Sequence, residues 1–300
     1  VNIYRNKAAL QALTGQTAVH LNWHGSGWIR PSLGQSCRFI RMLLDHRTLS
    51  TSLPLTILDC DYAKGPEWSC PAELEDARDV FEYVRSRPDA YDLERITLSG
   101  FSAGGTVALG LSVMLGEEAR RSSSSSDGFS GKTLRAHRHP VKAVMAFYSL
   151  ATWLGERDDP PPIPRGKKVA GVILPAWLED IMFVGHFFSP LPFHKQHTVS
   201  LEEERRRVEE LMSRPSVSPG LADGKDFPSR VALYTTEHDS FTRKMESLRA
   251  RLKEEGTVDV VGQLVRSAGH GWDLVVKEGE NGYKEWNEAC ATCANLILGT

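Results

Sequence analysis

The sequence predicts an α/β protein with a mostly parallel central sheet and helices on both of its faces. Three observations carry this. Short apolar, β-branched runs predict strands at 17–23, 54–60, 95–99, 141–148, 230–236 and 258–265. The segments between them predict helices at about 33–47, 71–86, 103–116, 240–255 and 281–298, and such alternation implies parallel pairing with helical crossovers. The length, 300 residues at 41% hydrophobic, is enough to bury a substantial core within one domain.

The elements justify themselves in order. The strand at 17–23 runs into His24-Gly25-Ser26-Gly27, whose residues with little or no side chain let a ligand approach the main chain. The strand at 95–99 runs into Gly100-Phe101-Ser102-Ala103-Gly104, and Thr106 to Leu111 read as a helix. Strand, sharp turn and helix are the setting in which Gly-x-Ser-x-Gly exposes a nucleophilic serine, with Gly100 and Gly104 letting strand and helix approach. Ser122 through Ser126 and the residues up to His139 read as a solvated loop.

A second break spans about 152–222. It opens on Pro160-Pro161-Pro162, passes through the apolar run Ile181 to Phe188, and continues into Glu202 to Arg207, which reads as one solvated helix face. The apolar run suits either a pocket wall or buried core. The strand at 230–236 ends on Glu237-His238-Asp239. Phe241, Met245, Leu248 and Leu252 then recur at helical spacing, a packing face. The strand at 258–265 is followed by the Gly-flanked His270. Ser102, an acid and His270 therefore occur in the chain order of the α/β-hydrolase triad. Asp239, Glu237 and Asp273 all stand near enough in sequence to supply the acid.

These segments together resemble the hormone-sensitive lipase-like group of α/β-hydrolases, which includes arylacetamide deacetylases and carboxylesterases. His24-Gly25-Ser26-Gly27 resembles its His-Gly-Gly-Gly loop, with Ser26 in place of a glycine. Asp61-Tyr62-Ala63-Lys64-Gly65-Pro66-Glu67, Pro71 to Asp76, Ser216 to Pro219, Glu237 to Phe241 and His270-Gly271-Trp272 resemble further family segments. The resemblance runs from about Ala18 to Trp272 and is poorest in the middle. It implies one α/β-hydrolase domain over 1–300, with a cap at about 152–222 to which 1–16 can add. It implies Ser102 as nucleophile, His270 as base, Asp239 as the acid, and Gly25, Ser26 and Ala103 as oxyanion-hole donors. His24, Gly27, Gly100 and Gly104 would support them. The expected activity is hydrolysis of esters with small to medium apolar or aromatic acyl groups. An amidase, lactonase, cyclase, acyltransferase or non-catalytic receptor on the same fold remains open.

No metal or organic cofactor is needed for this chemistry. A formal net charge of −2 gives no footprint for nucleic acid, and the expected partner is a small-molecule substrate. Five cysteines do not read as a secreted framework, and Cys290-x-x-Cys293 reads as two packed thiols. His186, His194 and His197 fall in the cap segment without an acid at ligand spacing, so packing roles are expected for them as for His20, His46, His137, His139 and His238. No apolar run is long enough to span a membrane and the start lacks a signal-peptide core, so a cytoplasmic monomer or homodimer is expected. The absence of an initiator Met leaves room for an upstream segment.

Overall fold

The computed structural model describes residues 1–12, 15–124, 139–157, 159–163, 168–188 and 200–300. Its strands are β1 (Asn2–Arg5), β2 (Thr17–Trp23), β3 (Leu55–Cys60), β4 (Tyr91–Phe101), β5 (Ala143–Phe147), β6 (Arg230–His238), β7 (Asp259–Val261) and β8 (Leu264–Gly269). Its helices are α1 (Lys7–Gln11), α2 (Cys37–Asp45), α3 (Arg47–Ser52), α4 (Ala72–Arg85), α5 (Ala103–Ser124), α6 (Ala176–Phe187), α7 (Leu201–Met212), α8 (Thr242–Glu255), α9 (Trp272–Val275) and α10 (Tyr283–Leu298). The sheet order is β1-β3-β2-β4-β5-β6-β7, with β8 also paired to β6. Every pairing is parallel except β1 with β3.

The side-chain alternation of the strands builds two cores. Leu21, Leu98, Val144 and Leu233 face α4, α5 and α8 through Phe81, Leu111 and Leu248. Ile57, Met145 and Ala232 face α2 and α10 through Phe39, Leu43, Trp286 and Cys293. β2, β3 and β5 are buried along their whole length, as strands covered on both faces must be. Phe241, Met245, Leu248 and Leu252 form the predicted packing face.

Elements depart from expectation in places: the helix expected at 33–47 is divided into α2 and α3, and α5 runs on to Ser124. The strand expected at 258–265 is split, because Gly262 adopts φ +98°, outside the extended region. At the N-terminus the chain adds an edge strand to the sheet. β1 runs antiparallel to β3, with Asn2 opposite Asp59 and Arg5 opposite Thr56, so the chain passes to the amino end of β3. Asn6 fixes the turn there, its amide donating to the carbonyls of Leu49 (2.9 Å) and Leu53 (2.8 Å). Residues 6–11 thus lie at the end of the sheet away from Ser102.

Between β5 and β6 the chain carries α6 and α7. Met182, His186 and Phe187 of α6 are buried, while Trp177, Ile181 and Val184 are exposed, so the apolar run divides between core and surface. α7 opens on a full capping box between Ser200 and Glu203, and its Val208 and Leu211 are buried beneath the charged face. α6 sits backbone to backbone on the body: a Cβ at Gly65 would overlap the Gly185 carbonyl oxygen. The Cys70 N–H donates to the His186 carbonyl at 2.7 Å. Among the described residues no helix is long and apolar enough to cross a membrane.

Candidate active site

Ser102 stands between β4 and α5 with φ +53°, a left-handed conformation that the tight turn imposes. Its N–H donates to the Phe147 carbonyl at 2.9 Å, which ties the turn to β5. A Cβ at Gly100 would overlap the Gly104 carbonyl, and one at Gly104 would overlap the Trp23 and His24 carbonyls. The small residues therefore set how closely strand, helix and the loop after β2 converge.

The end of β6 brings Asp239 and the end of β8 brings His270. His270 Nε2 lies 2.7 Å from Ser102 Oγ, and His270 Nδ1 lies 2.7 Å from Asp239 Oδ2. Asp239 also accepts from the Phe241 N–H at 3.1 Å and the Thr236 hydroxyl at 3.3 Å. Tyr148 and Phe241 pack against the imidazole in T-shaped arrangements, with centroids 4.8 and 5.5 Å away. The rival acids are engaged elsewhere. Glu237 accepts from the Ser267 N–H at 2.8 Å and from Arg266 at 3.0 Å. Asp273 accepts from the Tyr148 hydroxyl at 2.6 Å.

The loop after β2 overhangs the serine. A Cβ at Gly25 would come within 3.2 Å of Ser102 Cβ. Among the described residues, the N–H groups of Gly25, Ser26 and Ala103 have no acceptor. Ser26 Oγ does not serve as a further donor to the site: it accepts from the Trp28 N–H at 3.0 Å and bonds Tyr62 Oη at 2.6 Å. Tyr62 in turn donates to the His24 carbonyl at 3.1 Å. His24 is wholly buried, 2.9 Å from Asp61 and stacked on Tyr62, and Gly27 adopts φ +58°. Both shape the loop, and Gly27 lines the same cavity as Ser102.

Above Ser102 is an apolar cavity of about 380 Å³. Residues of 152–222 supply part of its wall: Val172, Leu174, Leu178 and Met182, facing Ile29 and Leu274. Met182 also lines a second cavity of about 330 Å³, whose wall includes Trp28, Trp153, Phe183 and Phe241. Trp177 points to solvent and Phe193 lies outside the described residues. Glu179 of α6 accepts from the Ser240 hydroxyl at 2.6 Å and pairs with Arg157 at 3.3 Å, and burial raises its pKa.

Sequence reasoning missed the strap at 170–172. It runs beside the His270 loop, and the Gly269 N–H donates to the Ala170 carbonyl at 2.7 Å. No periodicity marks such a segment. Elsewhere, Cys290 and Cys293 are buried free thiols whose pKa burial raises. His20 bonds the hydroxyls of Thr97 (2.9 Å) and Ser99 (2.8 Å), and burial lowers its pKa to about 3. His46 caps α3, His139 bonds main-chain carbonyls, and His238 contacts the Pro161 carbonyl at 2.8 Å. His137, His194 and His197 lie outside the described residues.

Known proteins agree with this architecture. A profile of the alpha/beta hydrolase fold matches residues 20–174. A versiconal hemiacetal acetate esterase of Aspergillus parasiticus is 30% identical over 102 residues, 34% of this chain and 30% of that protein. The alignment thus spans less than a third of that relative. An esterase of Pyrobaculum calidifontis superposes with TM-score 0.64 at 21% identity, over 99% of this chain and 85% of that one. A thermostable carboxylesterase cloned from a metagenomic library superposes with TM-score 0.66 at 20% identity, over 95% and 81%. A fungal esterase of Rhizomucor miehei gives 0.65 at 18%, over 99% and 79%. At these identities the solved structures establish a shared fold.

Proposed function

Because the chain belongs to the alpha/beta hydrolase fold family, we propose that it is a serine carboxylesterase acting through an acyl-enzyme. One observation carries the reading: the continuous relay from Ser102 Oγ through His270 to Asp239, 2.7 Å at each step. In this reading Ser102 Oγ attacks the ester carbonyl carbon as its proton passes to His270 Nε2. Asp239 holds the imidazole with Nδ1 protonated and stabilises the imidazolium that forms. The tetrahedral oxyanion takes the N–H groups of Ala103 and of Gly25 and Ser26, and one such donor is worth about 3 kcal/mol of barrier. His270 returns the proton to the departing alcohol. Water then repeats the sequence on the acyl-enzyme, with His270 as its base.

The cavity supports small to medium apolar or aromatic acyl groups, since apolar lining with few polar groups is how such pockets select. The partial relative is named for an acetate ester, which agrees with a short acyl side. The test is a stopped-flow reaction with p-nitrophenyl esters together with fluorophosphonate labelling. An initial burst of p-nitrophenol matching the enzyme concentration, and a label located on Ser102, are expected. Labelling elsewhere would remove Ser102 as nucleophile. Labelling of Ser102 without turnover of any ester would favour an acyltransferase, lactonase or cyclase.

A further inference from the structure

The fold gathers a cysteine, a glutamate and a histidine from two distant segments into one buried cluster. Cys70 lies two residues before α4 and Glu73 is the second residue of that helix. His186 comes from the last turn of α6. The three are only 1%, 3% and 3% exposed. One ligand atom of each, the thiol sulfur, a carboxylate oxygen and an imidazole nitrogen, lies within 4.8 Å of the others. None of the three lines the cavity above Ser102.

The imidazole and the carboxylate are spaced as two ligands of one ion would be. His186 Nε2 stands 3.6 Å from Glu73 Oε1, beyond hydrogen-bond reach. Two ligand atoms each about 2.1 Å from one ion, and separated by that gap, subtend about 118° at it, close to a tetrahedral angle. The backbone already fixes the spacing through the bond from the Cys70 N–H to the His186 carbonyl. The imidazole is held in place, stacked on Trp153 with centroids 5.1 Å apart and packed against Trp28 at 4.8 Å. A sulfur, nitrogen and oxygen donor set suits zinc, whereas magnesium and calcium select oxygen alone.

We propose that Cys70, Glu73 and His186 form a zinc site that staples the cap helix α6 to the body. Zinc replaces the thiol proton, which leaves to buffer, and the Cys70 sulfur bonds the ion as a thiolate. Three protein ligands leave the fourth tetrahedral position to a water. The sequence hid this arrangement because the acid that His186 lacks nearby in sequence is more than a hundred residues away.

The test uses the intact chain, freed of metal with a chelator and titrated with Zn²⁺ and with Co²⁺ as a spectroscopic substitute. One ion per chain, a sulfur-to-cobalt charge-transfer band and a rise in melting temperature with Zn²⁺ are expected. Cys70→Ser should abolish the band, and Cys70→Ser and Glu73→Gln should each weaken Zn²⁺ binding by at least about a hundredfold. Cys37→Ser, at the exposed thiol, should leave all three readouts unchanged. His186→Gln stands in if Cys70→Ser does not fold, with circular dichroism as the check. No binding by the parent chain, or binding undiminished in folded Cys70 or His186 variants, would overturn the proposal.

Discussion

His270 and Val172 exchange both of their backbone hydrogen bonds. The His270 N–H donates to the Val172 carbonyl at 2.8 Å, and the Val172 N–H donates to the His270 carbonyl at 2.9 Å. The main chain of the proposed base is therefore held by the segment between β5 and β6. Val172 is 58% exposed, and it is the backbone at this position that bonds the histidine.

Val172→Pro removes one of these bonds and should lower kcat by about ten- to a hundredfold, since small displacements of a catalytic group carry such penalties. Val172→Ala keeps both and should retain near-parent turnover. Steady-state kinetics on p-nitrophenyl butyrate compares them, and equal rates for the two would show that the tether does not position the base.

Ser102→Ala and His270→Ala should each reduce turnover by about 10⁴-fold or more. The double variant should be little worse, because groups acting as a unit lose their effect together. Near-normal turnover by Ser102→Ala would eliminate the proposed nucleophile.

Ser26→Gly tests a side chain that supports the loop without facing the substrate. It removes the acceptor of the Trp28 N–H and a partner of Tyr62. A stability loss of about 1 kcal/mol is expected, read by urea denaturation. The change in kcat/KM should stay under about tenfold, because the proposed donors belong to the main chain. A larger kinetic loss at unchanged stability would assign the hydroxyl a direct role.

Asp273 gives a pH dependence. Burial pushes its pKa up to about 6 from the ordinary 3.8. Between those values the unfolded chain has lost the proton and the folded chain keeps it, so stability falls as pH rises and levels off above about 6. Asp273→Asn removes that slope while retaining an acceptor for Tyr148. Its stability relative to the parent should rise from pH 4 to pH 7 by as much as about 3 kcal/mol. Denaturation midpoints at several pH values decide this, and parallel curves would contradict it.

Met182 lines both cavities. Met182→Ala should open the pocket above Ser102 toward the second space and move the preferred p-nitrophenyl ester to a longer acyl chain. A cost of about 2–5 kcal/mol in stability accompanies the deletion. An unchanged chain-length profile would indicate that the acyl group lies elsewhere.

Much of this site was legible because its signals are local. The elbow needs small residues at positions 100 and 104, and the loop after β2 needs them at 25 and 27, so the constraints are written where they act. His270 follows its strand directly, and the choice of Asp239 over Glu237 and Asp273 came from resemblance. The geometry favours the same choice, because Asp239 alone of the three faces His270 Nδ1. What could not be read depends on contacts between distant segments. Nothing in Ala170 to Val172 signals pairing with His270, and nothing near His186 signals Glu73. β1 is four residues long and mostly exposed, so it carries almost no hydrophobic pattern. The break at Gly262 lies in a run that otherwise reads as one strand, and a lone glycine does not reveal its φ.

The meeting of Gly65 with the Gly185 carbonyl bears on how substrate gets in. A helix seated on the body through its main chain cannot swing out as a rigid door without stripping that contact. Rotation of lining side chains such as Leu178 and Met182, a picosecond-to-nanosecond process, is then the expected route to Ser102 in place of a slower collective opening. Traffic of that kind is fast compared with bond making and insensitive to the friction of the solvent. Turnover in sucrose solutions should accordingly follow the chemistry and not the viscosity.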